Sequence, residues 1–181
     1  MASGAQEVLD FWFGELDPQQ WFARDYGLDR RITERFGDLH ARAAQCELFG
    51  WRDSARGRLA EVIVLDQFSR NIHRDRPGAF ACDAIALALA QEAVSQGIDV
   101  VLGPAEKSFL YMPYMHSESP LIHDVAMTLY SQEGLEYNLR FEKAHKEIID
   151  RFGRYPHRNA ILGRESTPAE RAFLEQPGSS F

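Results

Sequence analysis

Apolar residues recur along this chain every three or four positions, and no segment alternates convincingly between apolar and polar residues. This spacing is typical of amphipathic helices with one buried face. We predict helices at about residues 4–13, 18–25, 29–46, 56–72, 78–96, 104–115, 119–132, 135–152 and 167–175. Short loops between them predict an all-α fold, a single domain over residues 1–181 in which eight to nine antiparallel helices form a layered or superhelical array.

Helix ends are marked by residues that satisfy free backbone groups. Proline follows a good N-cap residue at three places, Asp17-Pro18, Ser119-Pro120 and Thr167-Pro168. Glu170 stands three residues after Thr167, which is the spacing of a capping box. Gly153 is placed to end the helix at 135–152, because glycine readily adopts the left-handed conformation that follows a helix.

The helix at 56–72 places charged residues on an apolar stripe. Leu59 and Ile63 begin this stripe, which continues into Asp66 and Arg70. The two charged residues are four positions apart, so we predict that they pair directly. An ion pair that faces a core must be well hydrogen-bonded, or it costs several kcal/mol.

Further polar residues are predicted to lie at or near buried faces. His145 falls on the apolar side of the helix at 135–152, and Asp83 flanks the apolar stripe of the helix at 78–96. Burial of one such group is costly, so we predict that Asp66, Arg70, Asp83 and His145 meet in one polar pocket. Two turns are positioned to add residues to it: His116, Glu118, Arg154, His157, Arg158 and Asn159.

Each of these residues also has a purely structural interpretation. His145 fits a core histidine with one satisfied hydrogen bond, and an inward Asp–Arg pair fits a tie between helices. The arginines of "RFGRYPHRN", residues 151–159, suit carboxylate or phosphate ligands, and they equally suit the free carbonyl groups of helix ends. The sequence leaves both interpretations open.

Composition narrows the classes of partner. The net charge is −7, which disfavours nucleic acid and anionic membrane surfaces as partners. No run of about 18 apolar residues occurs and the N-terminus does not resemble a secretory signal, so we expect no membrane span. Only Cys46 and Cys82 are present, which fits a reducing cytoplasm. A single Glu-x-x-His spacing, Glu142 to His145, predicts no metal site, and the chain has no cofactor motif, so we predict no cofactor.

Five strings in order resemble one bacterial family: "VLDFWFGE", "GRLAEVIVLDQFSRN", "AFACDAIALALA", "FLYMPYMHSES" and "RFGRYPHRNAILGRESTPAE". They are similar to the family labelled domain of unknown function 924, and the resemblance runs from about residue 7 to 174. The resemblance implies an all-helical, tetratricopeptide-like fold and no established activity. Ser69 and Tyr155 depart from the usual family pattern, which has Pro and Phe there. The family's signature polar residues fall on Asp66, Gln67, Arg70, Asn71, Asp83, His116, Glu118, His145, Arg154, His157, Arg158 and Asn159.

The main functional hypothesis is a pocket that binds a small anionic molecule. Arg70, Arg154 and Arg158 would hold the anion, and His145 or His116 would exchange protons, oriented by Asp66 or Asp83. Whether the pocket also catalyses a reaction stays open. The further ligand-binding candidates are Gln67, Asn71, Glu118, His157 and Asn159. The alternatives are a tetratricopeptide-like module that binds a peptide or protein, and inward polar residues that serve structure alone.

Overall fold

The computed structural model describes residues 2–179, and no β-strand occurs within that range. The prediction of an all-α fold is therefore confirmed, whereas the superhelical arrangement stays a prediction. The helices are α1 (Ala2–Asp10), α2 (Tyr26–Ala44), α3 (Ala55–Ile63), α4 (Ser69–Ile72), α5 (Asp83–Ser95), α6 (Pro104–Met115), α7 (Pro120–Tyr130), α8 (Glu136–Phe152) and α9 (Pro168–Leu174).

The predicted helix at 18–25 is wrong, because that segment forms turns. The Gln20 side chain accepts a hydrogen bond from the Asp17 backbone N–H, and the Trp21 indole donates to the Trp12 carbonyl oxygen. Asp25 then caps the next helix, since its Oδ1 accepts from two backbone N–H groups of the first turn of α2. Asp17 therefore precedes a segment of turns and not a helix, and Asp25 is the residue that caps α2.

Two segments adopt the wider π-helical turn, Phe11–Glu15 after α1 and Val64–Phe68 between α3 and α4. Their residues belong to two of the five strings singled out above. A π-helical turn adds about one residue per turn to the α-helical pattern and is frequent at functional sites. All five residues of Val64–Phe68 are buried, so this widened turn carries Asp66 and Gln67 inside the fold.

Two compact units can be distinguished along the chain. Unit 1 comprises Met1–Arg74 and Gly78–Pro113, and unit 2 comprises Asp75–Pro77 and Tyr114–Phe181. The single domain predicted over residues 1–181 stays a prediction.

Unit 1 has an aromatic core. α3 packs against α1 and α5, and α2 packs against α4. Phe11, Phe36 and Phe68 form mutual ring contacts, with centroids 4.9 to 6.2 Å apart, and Trp12 lies 5.5 Å from Phe109 edge to face. Such contacts add to the free energy gained by burying apolar surface.

Unit 2 is built on α7 and α8, which pack against each other. Ile148, Ile149 and Tyr155 form a core, against which Phe152 and Phe173 pack. Gly153 ends α8 in the left-handed conformation with φ of 67°, and Thr167 and Glu170 form the predicted capping box at the start of α9. Both predictions are confirmed.

One stretch of the described chain, Pro77–Ser95, is long and apolar enough to cross a membrane on length and composition, with a mean hydropathy of 1.2. This is weak evidence, because a helix from the core of a soluble protein meets the same condition. Ala86, Ala90 and Ala93 of α5 are buried in unit 1. The expectation of no membrane span stays a prediction.

Candidate functional site

Arg70 is the centre of a polar cluster in unit 1. Its guanidinium lies 3.1 Å from the carboxylate of Asp66 and donates two hydrogen bonds, of 3.0 and 3.1 Å, to the carboxylate of Asp83. Asp66 is only 1% exposed. The predicted inward Asp66–Arg70 pair is therefore confirmed, and the structure adds Asp83 as its third member.

Gln67 and Asn71 extend this cluster in two directions. The Gln67 amide donates to Asp66 Oδ2 at 2.5 Å, and the Asn71 amide donates to Asp29 Oδ1 at 2.8 Å. Asp29 also receives two hydrogen bonds from the guanidinium of Arg74. Sequence reasoning missed Asp29, although it shares the buried face of α2 with Ile32 and Phe36, and this spacing is the signal that could have found it.

The charges of the unit 1 cluster are largely matched internally. The carboxylates of Asp29, Asp66 and Asp83 meet the guanidinium groups of Arg70 and Arg74. Three carboxylates and two guanidinium groups leave no surplus of positive charge to attract an anion. Buried charges that are matched in this way can link α2, α4 and α5 without leaving an uncompensated charge.

Ser69 and His40 form a second buried contact in unit 1. The Ser69 hydroxyl donates to the Leu65 carbonyl oxygen at 2.5 Å, so its oxygen is the acceptor for His40 Nε2 at 2.7 Å. Burial and the neighbouring His73 lower the pKa of His40. A serine nucleophile would donate its proton to the histidine, and here the donation runs the other way.

Arg154 and Arg164 hold the predicted basic turn in unit 2 through carboxylates. Arg154 donates two hydrogen bonds to Glu170, of 2.6 and 2.8 Å, and Arg164 donates two to Glu118, of 2.6 and 2.9 Å. The Arg154 guanidinium lowers the pKa of Glu170 to about 2. Burial would raise the pKa of Glu118, but Arg164 and the Tyr155 backbone N–H outweigh it and lower that pKa. These bidentate pairs fix the turn to α9 and to the segment before α7.

Asn159 serves the same turn. Its amide donates to the Ser166 hydroxyl at 3.0 Å, and its carbonyl oxygen accepts from Arg164 Nε at 3.0 Å. The side chain is 1% exposed. These two hydrogen bonds satisfy the polar atoms of Asn159 inside the protein, so its burial needs no ligand.

Tyr155 is the residue around which the unit 2 histidines gather. Its buried hydroxyl donates to the Met115 carbonyl oxygen at 2.5 Å. The rings of His123, His145 and His157 lie 6.3, 5.7 and 5.4 Å from the Tyr155 ring, and the Arg158 guanidinium carbon lies 4.5 Å from its centroid. Arg158 also donates to the His116 carbonyl oxygen at 3.0 Å. One buried aromatic ring thus orients several basic side chains.

The protonation state of His145 follows from its hydrogen bond. Nδ1 lies 2.8 Å from the Phe141 carbonyl oxygen, which can only accept, so Nδ1 carries the proton and Nε2 carries the lone pair. Burial lowers the pKa of His145 to about 3; the bond to Phe141 opposes this change, and His116, His123 and His157 add to it. His145 is therefore neutral near pH 7, with Nε2 as an acceptor.

His123 and Glu142 form a fully buried pair, of which the sequence analysis had considered only Glu142, as the first residue of the Glu-x-x-His spacing. His123 Nδ1 lies 2.7 Å from Glu142 Oε1, and Nε2 lies 2.8 Å from the Ser117 carbonyl oxygen. Nε2 must donate to that carbonyl, and burial raises the pKa of Glu142. Glu142 Oε2 has no hydrogen-bond partner within residues 2–179, which a neutral acid tolerates better than a carboxylate. The raised pKa and this geometry favour a protonated Glu142, whose O–H would donate to His123 Nδ1.

The Glu-x-x-His spacing consequently brings no ligands together, because Glu142 turns to His123 and His145 turns to its own helix. Among residues 2–179 no group of three His, Cys, Asp or Glu side chains is placed to hold a metal ion.

The predicted site residues fall into two sets, one in each unit. Unit 1 holds Asp66, Gln67, Arg70, Asn71 and Asp83, and unit 2 holds His116, Glu118, His145, Arg154, His157, Arg158 and Asn159. The structure brings the members of each set into contact networks within their own unit. Convergence of both sets in one pocket stays a prediction.

The fold and these networks define an all-α protein with buried polar ties in both units. The chain belongs to the family described as "Bacterial protein of unknown function (DUF924)", which matches residues 8–178. It is similar to a solved structure, a protein of unknown function, ATU0120, from Agrobacterium tumefaciens. That similarity has a TM-score of 0.91 and 38% identity, and covers 96% of this chain and 98% of the other. No curated protein matches the chain.

Proposed function

We propose that unit 2 binds a small anionic molecule against His116, His145, His157 and Arg158, and that the bound anion raises the pKa of His145. The observation that carries this proposal is the state of His145. Its Nδ1 is committed to the Phe141 carbonyl oxygen, so its basic atom is Nε2, and its neighbours are three further histidines. A negative charge bound beside these side chains would stabilise the protonated form of His145.

The acidic residues nearby do not already supply that charge. Glu118 and Glu170 are each bound by their own arginine, and Glu142 is bound to His123 with its pKa raised. Arg158 is the arginine of this set that stacks on Tyr155 and so has a fixed orientation. Arg70 and Arg154, which were also predicted to hold the anion, are paired with carboxylates. The proposed site uses Arg158 because its guanidinium stacks on Tyr155 and donates to the His116 carbonyl oxygen, beside the proposed histidines.

The expected coupling can be sized from Coulomb's law. A single negative charge about 5 Å from Nε2 contributes roughly 3 kcal/mol at an effective dielectric constant of about 20, and salt reduces this. The pKa of His145 should therefore rise by at least about 1 pH unit when the anion binds. By linkage, protonation of His145 should strengthen anion binding to the same extent.

The test uses inorganic phosphate as the probe. Histidine ring resonances are followed by NMR from about pH 3 to 8, with and without millimolar phosphate, and thermal stability is measured in parallel. We expect phosphate to raise the titration midpoint of His145 and to stabilise the protein, and His145→Gln to lose that stabilisation. His73→Gln, a histidine change in unit 1, is the matched control.

An unchanged His145 titration together with equal phosphate stabilisation of the wild type and His145→Gln would overturn the proposal. The alternative function, a module that binds a peptide or protein, stays a prediction. The cytoplasmic location and the expected absence of nucleic-acid and membrane partners also stay predictions.

A further inference from the structure

The outward face of α8 forms a shallow apolar groove in unit 2. Tyr137, Phe141, Ala144 and Ile148 of α8 and Phe173 of α9 line a groove of about 490 Å³. Tyr137 is 56% exposed and Phe141 is 41% exposed, and their rings lie 4.9 Å apart. Two adjacent exposed aromatic rings at the edge of an apolar groove are typical of an interaction surface.

The charged residues of this face are arranged symmetrically along the helix. Arg140 and Glu147 lie equally far from the midpoint between Lys143 and Ala144, and so do Glu136 and Arg151. At 1.5 Å per residue the inner pair lies about 5 Å from this midpoint and the outer pair about 11 Å. All four side chains are exposed, and none has an ion-pair partner within residues 2–179.

Arg140 and Arg151 are held by aromatic rings at the edge of this surface. The guanidinium of Arg140 lies 5.1 Å from the Tyr137 ring, and that of Arg151 lies 4.6 Å from Phe152 and 5.8 Å from Phe173. Each cation therefore lies beside an aromatic residue of the groove or its flank, with its charge unpaired. Stacking on a ring reduces the conformational freedom that an arginine loses when it forms an ion pair.

We propose that this face binds the same face of a second copy of the chain, with the two α8 helices antiparallel about a two-fold axis near Ala144. In this arrangement Arg140 meets the partner's Glu147, and Glu136 meets the partner's Arg151. Each pair forms twice, as an isologous contact requires. The small side chain of Ala144 at the crossing lets the two helices approach closely.

The charge order singles out a second copy among possible occupants. A peptide from another protein needs only charges that complement the groove, whereas a self-complementary order along α8 is required only by an identical partner. A single helix face with one groove lies at the small end of stable interfaces. We therefore expect a weak dimer with a dissociation constant on the order of 10 µM.

The test is sedimentation equilibrium over about 1 to 200 µM protein, with charge-reversal variants. Arg140→Glu alone and Glu147→Arg alone each create two like-charge contacts in the dimer. Each should weaken self-association at least about tenfold. An equal mixture of the two variants should associate about as tightly as the wild type, because every contact is again between opposite charges.

The double variant Arg140→Glu/Glu147→Arg should also recover wild-type association. Arg30→Glu makes the same charge change at an exposed position of α2 in unit 1 and should leave association unaltered. Circular dichroism confirms that each variant is folded. A wild type that is monomeric throughout, or single variants that fail to rescue each other on mixing, would overturn the proposal. A self-association constant that neither Arg140→Glu nor Glu147→Arg changes would also overturn it.

Discussion

Replacement of Arg70 by methionine isolates the contribution of one guanidinium to a buried carboxylate. Methionine keeps the length and helix propensity of the side chain but removes its charge and donors. Asp66, 1% exposed, loses the cation 3.1 Å away and keeps the hydrogen bond from the Gln67 amide. Asp83, with 20% of its side chain exposed, loses two hydrogen bonds and can be rehydrated.

The magnitude is therefore set mainly by Asp66. Removal of one partner of a buried ion pair costs about 3–5 kcal/mol, because the other charge is left without compensation. Gln67 retains part of the stabilisation of Asp66, so we expect a loss of about 3 kcal/mol in the free energy of unfolding. Arg70→Lys should lose about 1–2 kcal/mol, since an ammonium group cannot span both carboxylates as a planar guanidinium does.

The assay is urea unfolding followed by circular dichroism and tryptophan fluorescence. The double variant Asp66→Asn/Arg70→Met should be more stable than Arg70→Met alone, because the uncompensated charge has been removed. Arg30→Met, which changes an exposed arginine of α2, is the control and should stay within about 0.5 kcal/mol of the wild type. A loss below about 1 kcal/mol for Arg70→Met would show that water stabilises Asp66. A double variant no more stable than the single one would refute the role of the buried charge.

Three further predictions concern other parts of the fold. Gly57→Ala should destabilise the protein by about 3 kcal/mol in urea unfolding, because a Cβ atom there would lie 2.0 Å from the Trp51 carbonyl oxygen; a change below about 1 kcal/mol would contradict that contact. Glu142→Gln should be tolerated far better than Glu142→Ala, because an amide N–H can replace the acid as the donor to His123; equal losses would favour an ion pair instead. The folded-state pKa of Glu170, about 2, lies below its usual value of 4.5, so its contribution is complete above pH 4.5 and is lost as the pH falls towards 2. Glu170→Gln should therefore flatten the acid side of the stability–pH profile, and an unchanged slope would contradict the assigned pKa.

The sequence was sufficient to predict which site residues are buried, but not which partners they contact. Helical spacing was sufficient to predict the burial of Asp66 and His145, because each lies three or four positions from apolar residues of its own segment. Partners distant in sequence were not recoverable in this way. The contacts of Arg154 with Glu170 and of Arg164 with Glu118 depend on how loops return to the helices, which no local period encodes.

The same limit explains the errors in element assignment. A proline after an aspartate predicts a helix start at Asp17, but the Gln20 and Trp21 side chains hold that segment in turns. The π-helical turn at Val64–Phe68 was also unpredicted, since a single inserted residue is invisible in an apolar run that is buried on all sides.

The sequence by itself determined the helical class, most helix ends and the inward direction of the main polar residues, because these depend on periodicity and on backbone groups within a few residues. Only the tertiary structure decided which charges meet. It assigned carboxylate partners to Arg70 and Arg154 and gathered the unit 2 histidines around Tyr155. Among residues 2–179 it left four exposed charges of α8 without an ion-pair partner, those of Glu136, Arg140, Glu147 and Arg151. Those outcomes depend on distances between segments far apart along the chain, which helix packing and the paths of the connecting loops set together.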